Sequence, residues 1–290
     1  MIATNQTLRP RDLLADSPEL GSPPLVYRRL VEVINHPRGG AGDVANVIRE
    51  DTALTARLLK LVNSAFFAFP KKIETVSQAV SVVGTSQVRD LALATSVTDL
   101  FKGVPSELLD VEAFWKHSLG VGVAARVIAG LRSEANVERF FVAGILHDVG
   151  RLVLLMRAPE QTADVIAKAR ERGALLFETE REVLGFDHAR MGGVLMNHWK
   201  MPEALREAVE LHHDPRRAQR YPIEAGTVHV ADIVATALQL GNSGERLVPP
   251  VSAGAWAKLG IDPGVMGFAV EDVDRQYSAA VHLLGLALED

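Results

Sequence analysis

The chain reads as an all-α protein. Apolar residues recur at helical spacing over nearly its whole length, no stretch of strand-type alternation competes with them, and short Gly and Pro breaks separate the runs. Of its 290 residues, 48% are hydrophobic and 23% charged, which is enough apolar surface for a sizeable core and argues against disorder.

The elements follow in order. Ser22-Pro23-Pro24 suits a helix start, because proline has no N–H to lose in the first turn. Leu25, Leu30, Val31, Val33 and Ile34 then form one apolar face, which ends before His36-Pro37-Arg38-Gly39-Gly40. Asp43 to Arg49 is a short helix. Asp51 or Thr52 caps the next, which carries Leu54, Leu58, Leu61 and Val62 and runs into residues 63–69. Thr75 and Thr85 are further caps on either side of Gly84, a helix stop, and an amphipathic run from Val88 to Phe101 ends at Gly103-Val104-Pro105. A second block opens near Ser106. Its first helix holds Phe114 to Leu119 and continues to Leu131, and Asn136 caps a helix that ends at His147-Asp148-Val149-Gly150. Helices are expected over 151–157, 159–172, 175–184, 188–199, 202–213 and 223–240, with Asp187 as a cap and Pro202 in a first turn. Gly241 to Gly244 is a flexible break that Pro249-Pro250 extends, followed by helical segments over Ala253–Leu259 and Gly264–Leu288. The expected organisation is an N-terminal helical sub-bundle over 8–105, a second helical bundle over 106–240 and a helical extension over 241–290.

The net charge of −5 gives no general attraction to nucleic acid or to an anionic membrane. With no cysteine, disulfides and thiolate metal sites are excluded, in keeping with a reducing compartment. The start, Met1 to Gln6, lacks the basic-then-apolar pattern of a signal peptide, and apolar stretches such as Leu152–Met156 fall far short of the ~20 residues a membrane helix needs. A soluble, cytoplasmic protein is expected.

The chemistry concentrates in the second half, where His117, His147, Asp148, His188, His212, His213 and Asp232 follow one another. Imidazole nitrogen and carboxylate oxygen suit divalent iron, manganese and zinc, and helical bundles build metal sites from facing helices. Adjacent helical residues point ~100° apart, so His212 and His213 reach one site together only near a helix end. Without a metal, the same residues would form a hydrogen-bonded cluster, each Asp accepting from an imidazole N–H. Arg151 is a candidate phosphate holder because its guanidinium is a planar fork of donors, or else a surface arginine at a helix start. His229, one turn before Asp232, reads as packing or as support for the cluster; His36, His198 and His282 read as ordinary. Lys71-Lys72 with Arg89, and Arg216-Arg217 with Arg220, read as solvated basic clusters or as contacts for a nucleotide or an acidic partner, and Phe66, Phe67 and Phe69 as core between the two halves or as part of a partner surface.

The order His, His-Asp, His, His-His, Asp resembles that of the HD superfamily of metal-dependent phosphohydrolases, and His147-Asp148-Val149-Gly150-Arg151 is similar to its His-Asp-x-Gly-Lys signature. More narrowly, Arg57 to Phe67, Ala79 to Gly84 and Val88 to Leu93 resemble the N-terminal half of HDOD domains, and Phe141 to Leu154 and Val228 to Val234 its C-terminal half. The resemblance covers about residues 18–240. It implies a first metal held by His117, His147, Asp148 and Asp232, and a second held by the bridging Asp148 with His188, His212 and His213. The metal would be iron, manganese or zinc, mono- or dinuclear.

The resemblance also implies a bacterial signal-transduction module that acts through contacts with other signalling proteins, such as diguanylate cyclases or other regulators. The complete ligand set keeps a second expectation open, a metal-dependent phosphohydrolase acting on a nucleotide or cyclic dinucleotide, with Asp148 bridging and Arg151 orienting phosphate. The chain departs from the HD-GYP relatives that cleave cyclic-di-GMP. Ala113 stands where those enzymes can place a glutamate ligand, and Asp214-Pro215-Arg216-Arg217-Ala218-Gln219-Arg220 replaces their glycine-rich loop. Both departures weigh toward the module.

Overall fold

The computed structural model of the chain describes residues 8–285, apart from residues 16, 18, 19, 65, 66 and 68 and the side chains of 282–285. The expectations for Phe66, for the His282 side chain and for a closing helix as far as Leu288 fall outside them. Among the described residues the fold is helical without a strand: α1 (Asp12–Ala15), α2 (Leu25–Asn35), α3 (Ala41–Arg49), α4 (Thr52–Val62), α5 (Val76–Val83), α6 (Thr85–Ser96), α7 (Val111–Leu131), α8 (Glu138–Leu146), α9 (Val149–Arg157), α10 (Pro159–Arg172), α11 (Leu176–Leu184), α12 (His188–His198), α13 (Glu203–Leu211), α14 (Pro222–Ala237), α15 (Ala253–Leu259) and α16 (Met266–Gly285). The all-α expectation therefore holds. No described helix is long and apolar enough to cross a membrane.

The local signals act as side-chain chemistry says they should. Asp51 accepts from the Leu54 amide, Thr75 from Gln78 and Asp187 from Arg190, each satisfying a helix-start N–H. Asn136 likewise accepts from the Arg139 amide. Thr85 does not cap. It is the first residue of α6, which begins directly at Gly84. Pro24 and Pro202 each sit one residue ahead of the helix they introduce. The run from Val88 to Phe101 is not one helix either, because α6 tightens into a 3-10 turn over Val97–Phe101.

Helices α2 to α6 pack on one another, and α6 docks on α8, joining them to the second half. At the centre lies α7, fourteen of whose 21 residues are buried. A helix apolar on all sides must be a core helix, and α8, α14 and α16 surround it. Phe101, Phe114, Phe140 and Phe141 are wholly or almost wholly buried around it, each contributing roughly 1.5–3 kcal/mol. Phe67 and Phe69 stack on each other, with centroids 5.7 Å apart, and pack against this core.

Asn63 closes the connection after α4. Its amide donates to the carbonyls of Leu59 at 2.8 Å and Ile73 at 2.7 Å, while its oxygen accepts from the Ile73 N–H at 2.7 Å. Asn63→Ala removes all three bonds at once. Denaturant unfolding should show a loss of about 1–3 kcal/mol, with the Asn63→Asp variant, which keeps the acceptor, falling between the two.

Candidate metal centre

Helix ends bring the candidate residues together. The chain leaves α8 at His147 and enters α9 from Asp148, so two adjacent side chains share one pocket where a continuous helix would splay them. Asp187 fixes the start of α12 and so sets His188, its first residue. His212 lies just past the end of α13 with His213 after it, which meets the condition for both to reach one site. His117 comes from the middle of α7 and Asp232 from the middle of α14. Close backbone contact between α9 and α12 is required at Gly150, where a Cβ would lie 2.0 Å from the His188 carbonyl oxygen and 2.4 Å from the Gly192 nitrogen.

All seven side chains converge, and all but the half-buried His213 are buried. Asp148 stands between two sets. Its Oδ2 faces His147 Nε2 at 3.5 Å, and His147 Nε2 in turn lies 3.7 Å from Asp232 Oδ1, which is 3.2 Å from His117 Nε2. Its Oδ1 faces His188 Nε2 at 2.8 Å and His212 Nε2 at 3.7 Å. The Nε2 atoms of His213 and His188 are 2.9 Å apart, and those of His212 and His213 3.1 Å apart.

The ring orientations are fixed from behind. Nδ1–H of His147 donates to the Gly144 carbonyl at 2.7 Å, and that of His212 to the Val209 carbonyl at 2.8 Å. His188 Nδ1 lies 2.6 Å from Glu180 Oε2. Each bond turns Nε2 inward, as in metal sites where a second acceptor sets the tautomer of a ligating histidine. His213 is held by a different contact, stacking on Phe177 with centroids 4.1 Å apart. His229 supports the site rather than joining it: its Nδ1–H donates to the His212 carbonyl at 2.7 Å, and its Nε2 accepts from the Ser252 amide at 2.9 Å.

The electrostatics are those of a cation site. Burial works most strongly against the charge of Asp148, yet Arg151, His147 and His188 hold its carboxyl well below the usual carboxylate range. Asp232 is drawn down to about 2 against the effect of burial, by its bond to His117 and by His147. Burial and Arg151 oppose charge on His188, but Glu180 and Asp148 outweigh them and push it up to about 10. Burial and neighbouring histidines push His212 down to about 3. Three buried carboxylates, Asp148, Glu180 and Asp232, face two buried cations, the Arg151 guanidinium and the protonated His188, so negative charge stays in excess.

A divalent metal fits this arrangement. His147 Nε2 and Asp148 Oδ1 are buried without a hydrogen bond, although His188 Nε2 lies near Asp148 Oδ1; the contact is close but out of line for an N–H. Nitrogens 2.9–3.1 Å apart cannot all satisfy one another, whereas ligands bound at ~2.1 Å and at right angles would stand about 3.0 Å apart. Asp148 with His188, His212 and His213, and Asp148 with His117 and His147, are groups that could each hold an ion; His147, His212 and Asp232 are a third.

Arg151 is not a surface arginine. It is 3% exposed, and its Nη1 donates to the Ser243 carbonyl at 2.6 Å and to its hydroxyl at 3.1 Å. Its Nη2 rests against His188 at 3.1 Å. Glu180 escaped the reading of the sequence, although the signal was there: it shares the buried face of α11 with Leu176, Phe177 and Leu184, an acid where a hydrophobe belongs. Ser243 carried no signal, since nothing local marks a residue whose carbonyl meets a side chain 92 positions away.

The loop after His213 is firmly built. Buried Glu207 accepts from the amides of Gln219 at 2.6 Å, Arg220 at 3.3 Å and Tyr221 at 3.1 Å, while those of Arg217 and Ala218 bond back to Asp214 and Pro215. Glu207→Ala frees three of these N–H groups. Limited trypsin digestion should then cut at Arg216, Arg217 or Arg220 roughly tenfold faster than in the unmodified chain, reporting a lower local opening energy.

The chain resembles known proteins along most of its length. A family model described as the HDOD domain matches residues 20–215. A curated relative, an uncharacterized protein of Treponema pallidum (strain Nichols), is 26% identical over 224 residues, 77% of this chain; the chain spans 42% of that relative's length. Among solved structures, an HDOD domain protein with unknown function from Geobacter sulfurreducens is 25% identical with a TM-score of 0.75, the match covering 96% of this chain and 95% of that one. A candidate phosphohydrolase from Shewanella amazonensis SB2B is 26% identical with a TM-score of 0.64, covering 94% and 93%. A candidate signal transduction protein from Marinobacter aquaeolei VT8, 21% identical with a TM-score of 0.70 over 92% of this chain and 59% of that one, shares the fold. With the family model matching about two thirds of its length and the seven-residue cluster assembled as described, the chain belongs to the HDOD family.

Proposed function

We propose that this protein is a bacterial signal-transduction module that acts through contacts with other signalling proteins and holds a divalent metal in the buried His/Asp cluster. The metal ligands are His117, His147, Asp148 and Asp232 on one side and Asp148, His188, His212 and His213 on the other. When bound, the metal supplies the positive charge that the buried carboxylates lack, and can act as a Lewis acid. Asp148, which stands between the two sets, would serve both, and Glu180 orients His188.

The observation that favours a module over a phosphodiesterase is the loop after His213. Backbone N–H groups can cradle a phosphate only when they are free to point at it. Here the amides of five consecutive residues, Arg217 to Tyr221, are spent inside the protein. Arg151, the other candidate phosphate holder, has committed Nη1 to Ser243.

One observation favours the second reading, a metal-dependent phosphohydrolase. A cavity of about 410 Å³ reaches His117, lined by polar groups of Thr236, Gln239, Asn242 and Ser243. In that reading substrate would approach from this side and Arg151 would orient its phosphate.

Two measurements test the proposal. Elemental analysis of protein purified without chelator should find iron, manganese or zinc in at least stoichiometric amount. Asp148→Ala should abolish retention, while His213→Ala weakens it by about tenfold or more, as loss of one ligand does. A metal-free chain that takes up none of the three would refute the metal site. With manganese or iron loaded, hydrolysis of a generic phosphodiester and of cyclic dinucleotides should not exceed that of the Asp148→Ala variant. Turnover that vanishes in that variant would replace the module by the enzyme.

A further inference from the structure

Residues 239–252 form no helix, yet they touch most of the elements that bear the candidate ligands. The Asn242 amide donates to the Ala113 carbonyl on α7 at 2.8 Å, one turn before His117. Gly241 lies so close to the same turn that a Cβ would fall 2.2 Å from the His117 nitrogen and 2.4 Å from the Ala113 oxygen, and its φ of +68° already favours glycine. Ser243 takes the Arg151 guanidinium on α9. Glu245 accepts from the Leu176 amide at 2.8 Å, at the start of the helix that carries Glu180. Ser252 donates to His229, which in turn holds the His212 carbonyl. The segment read from the sequence as a flexible break is thus a strap pinned at four places around one centre. Ser243 is buried on its inner side together with Leu240 and Pro249, while Val248, at the rim of the cavity that reaches His117, and Val251 are about half exposed.

We infer that residues 239–252 are a cover over the metal centre, closed by metal binding and opening to release it. The inference rests on the metal reading above and adds to it a route by which occupancy alters the protein's surface. Arg151 is the link. In the structure its Nη1 donates to Ser243 in the strap and also lies 3.7 Å from Asp148 Oδ2. With a cation bound at Asp148, that carboxylate would no longer neutralise the guanidinium, which would keep Ser243 of the strap as its partner. Linkage then runs both ways: whatever metal does for closure, closure does for metal retention. The exposed face carrying Val248 and Val251 changes with it, which gives the module an output that depends on the ion.

Hydrogen exchange on the full chain, manganese-loaded against chelator-treated, tests the coupling directly. The amides of Asn242, Gly244 and Ser252 should exchange about tenfold more slowly with manganese bound, while those of α3, which packs on α2, α4 and α5, stay unchanged. In stopped-flow release into excess chelator, Gly241→Ala should lose manganese about tenfold faster than the unmodified chain. Manganese bound with unaltered strap exchange, or release from Gly241→Ala at the unmodified rate, overturns the cover and leaves the metal site standing. A chain that binds no manganese, iron or zinc removes both. The exchange comparison needs no variant and decides the question even if Gly241→Ala does not fold.

Discussion

Three carboxylates buried beside one guanidinium are the constraint on which the rest of this structure depends. Taking a charge out of water costs several kcal/mol unless it is paired and hydrogen-bonded. Asp148 and Asp232 keep their charge because Arg151 and histidines from three helices or helix ends, His117, His147 and His188, lean on them. That demand explains the backbone features around the cluster. It fixes the break between α8 and α9, the cap at Asp187, the glycine contact between α9 and α12, and the burial of Arg151. The pairing is also incomplete, with His147 Nε2 and Asp148 Oδ1 unsatisfied. A divalent cation among these atoms answers both the missing charge and the missing bonds.

Much of this was legible in the sequence because the signals are local. Helical spacing marked the elements, capping side chains at Asp51, Thr75 and Asp187 marked their starts, and the order of histidines and aspartates marked the site. The adjacent pair His212-His213 even carried a geometric condition, a helix end, that the chain meets. Where the reading failed, the deciding contact was distant in sequence. The strap at 241–245 looked like a loose Gly/Asn/Ser break, since its anchors Ala113, Arg151 and Leu176 lie some 70 to 130 positions away. Arg151 looked like a surface residue for the same reason. Glu180 was visible in principle as an acid on an apolar helix face, a pattern that turns of helix make plain only once the partner histidine is known.

The same physical argument separates the two functional readings. A site that turned over phosphodiesters would need free donors facing the substrate. Here Glu207 gathers the loop amides inward and Ser243 takes part of the guanidinium. What is left is a charged, buried cluster reached by a cavity at His117. Such a design suits a protein that changes its surface when an ion comes or goes better than one that processes a substrate.

The claim that carries most weight is that this cluster is a metal centre and not merely a set of hydrogen-bonded histidines. A crystal grown from manganese- or iron-loaded protein, with diffraction recorded on both sides of the absorption edge of that metal, addresses it most directly. An anomalous peak is expected within bonding distance of Asp148, flanked by His147 and His188. A map without anomalous density there, with the same side chains bonded only to one another, would contradict it.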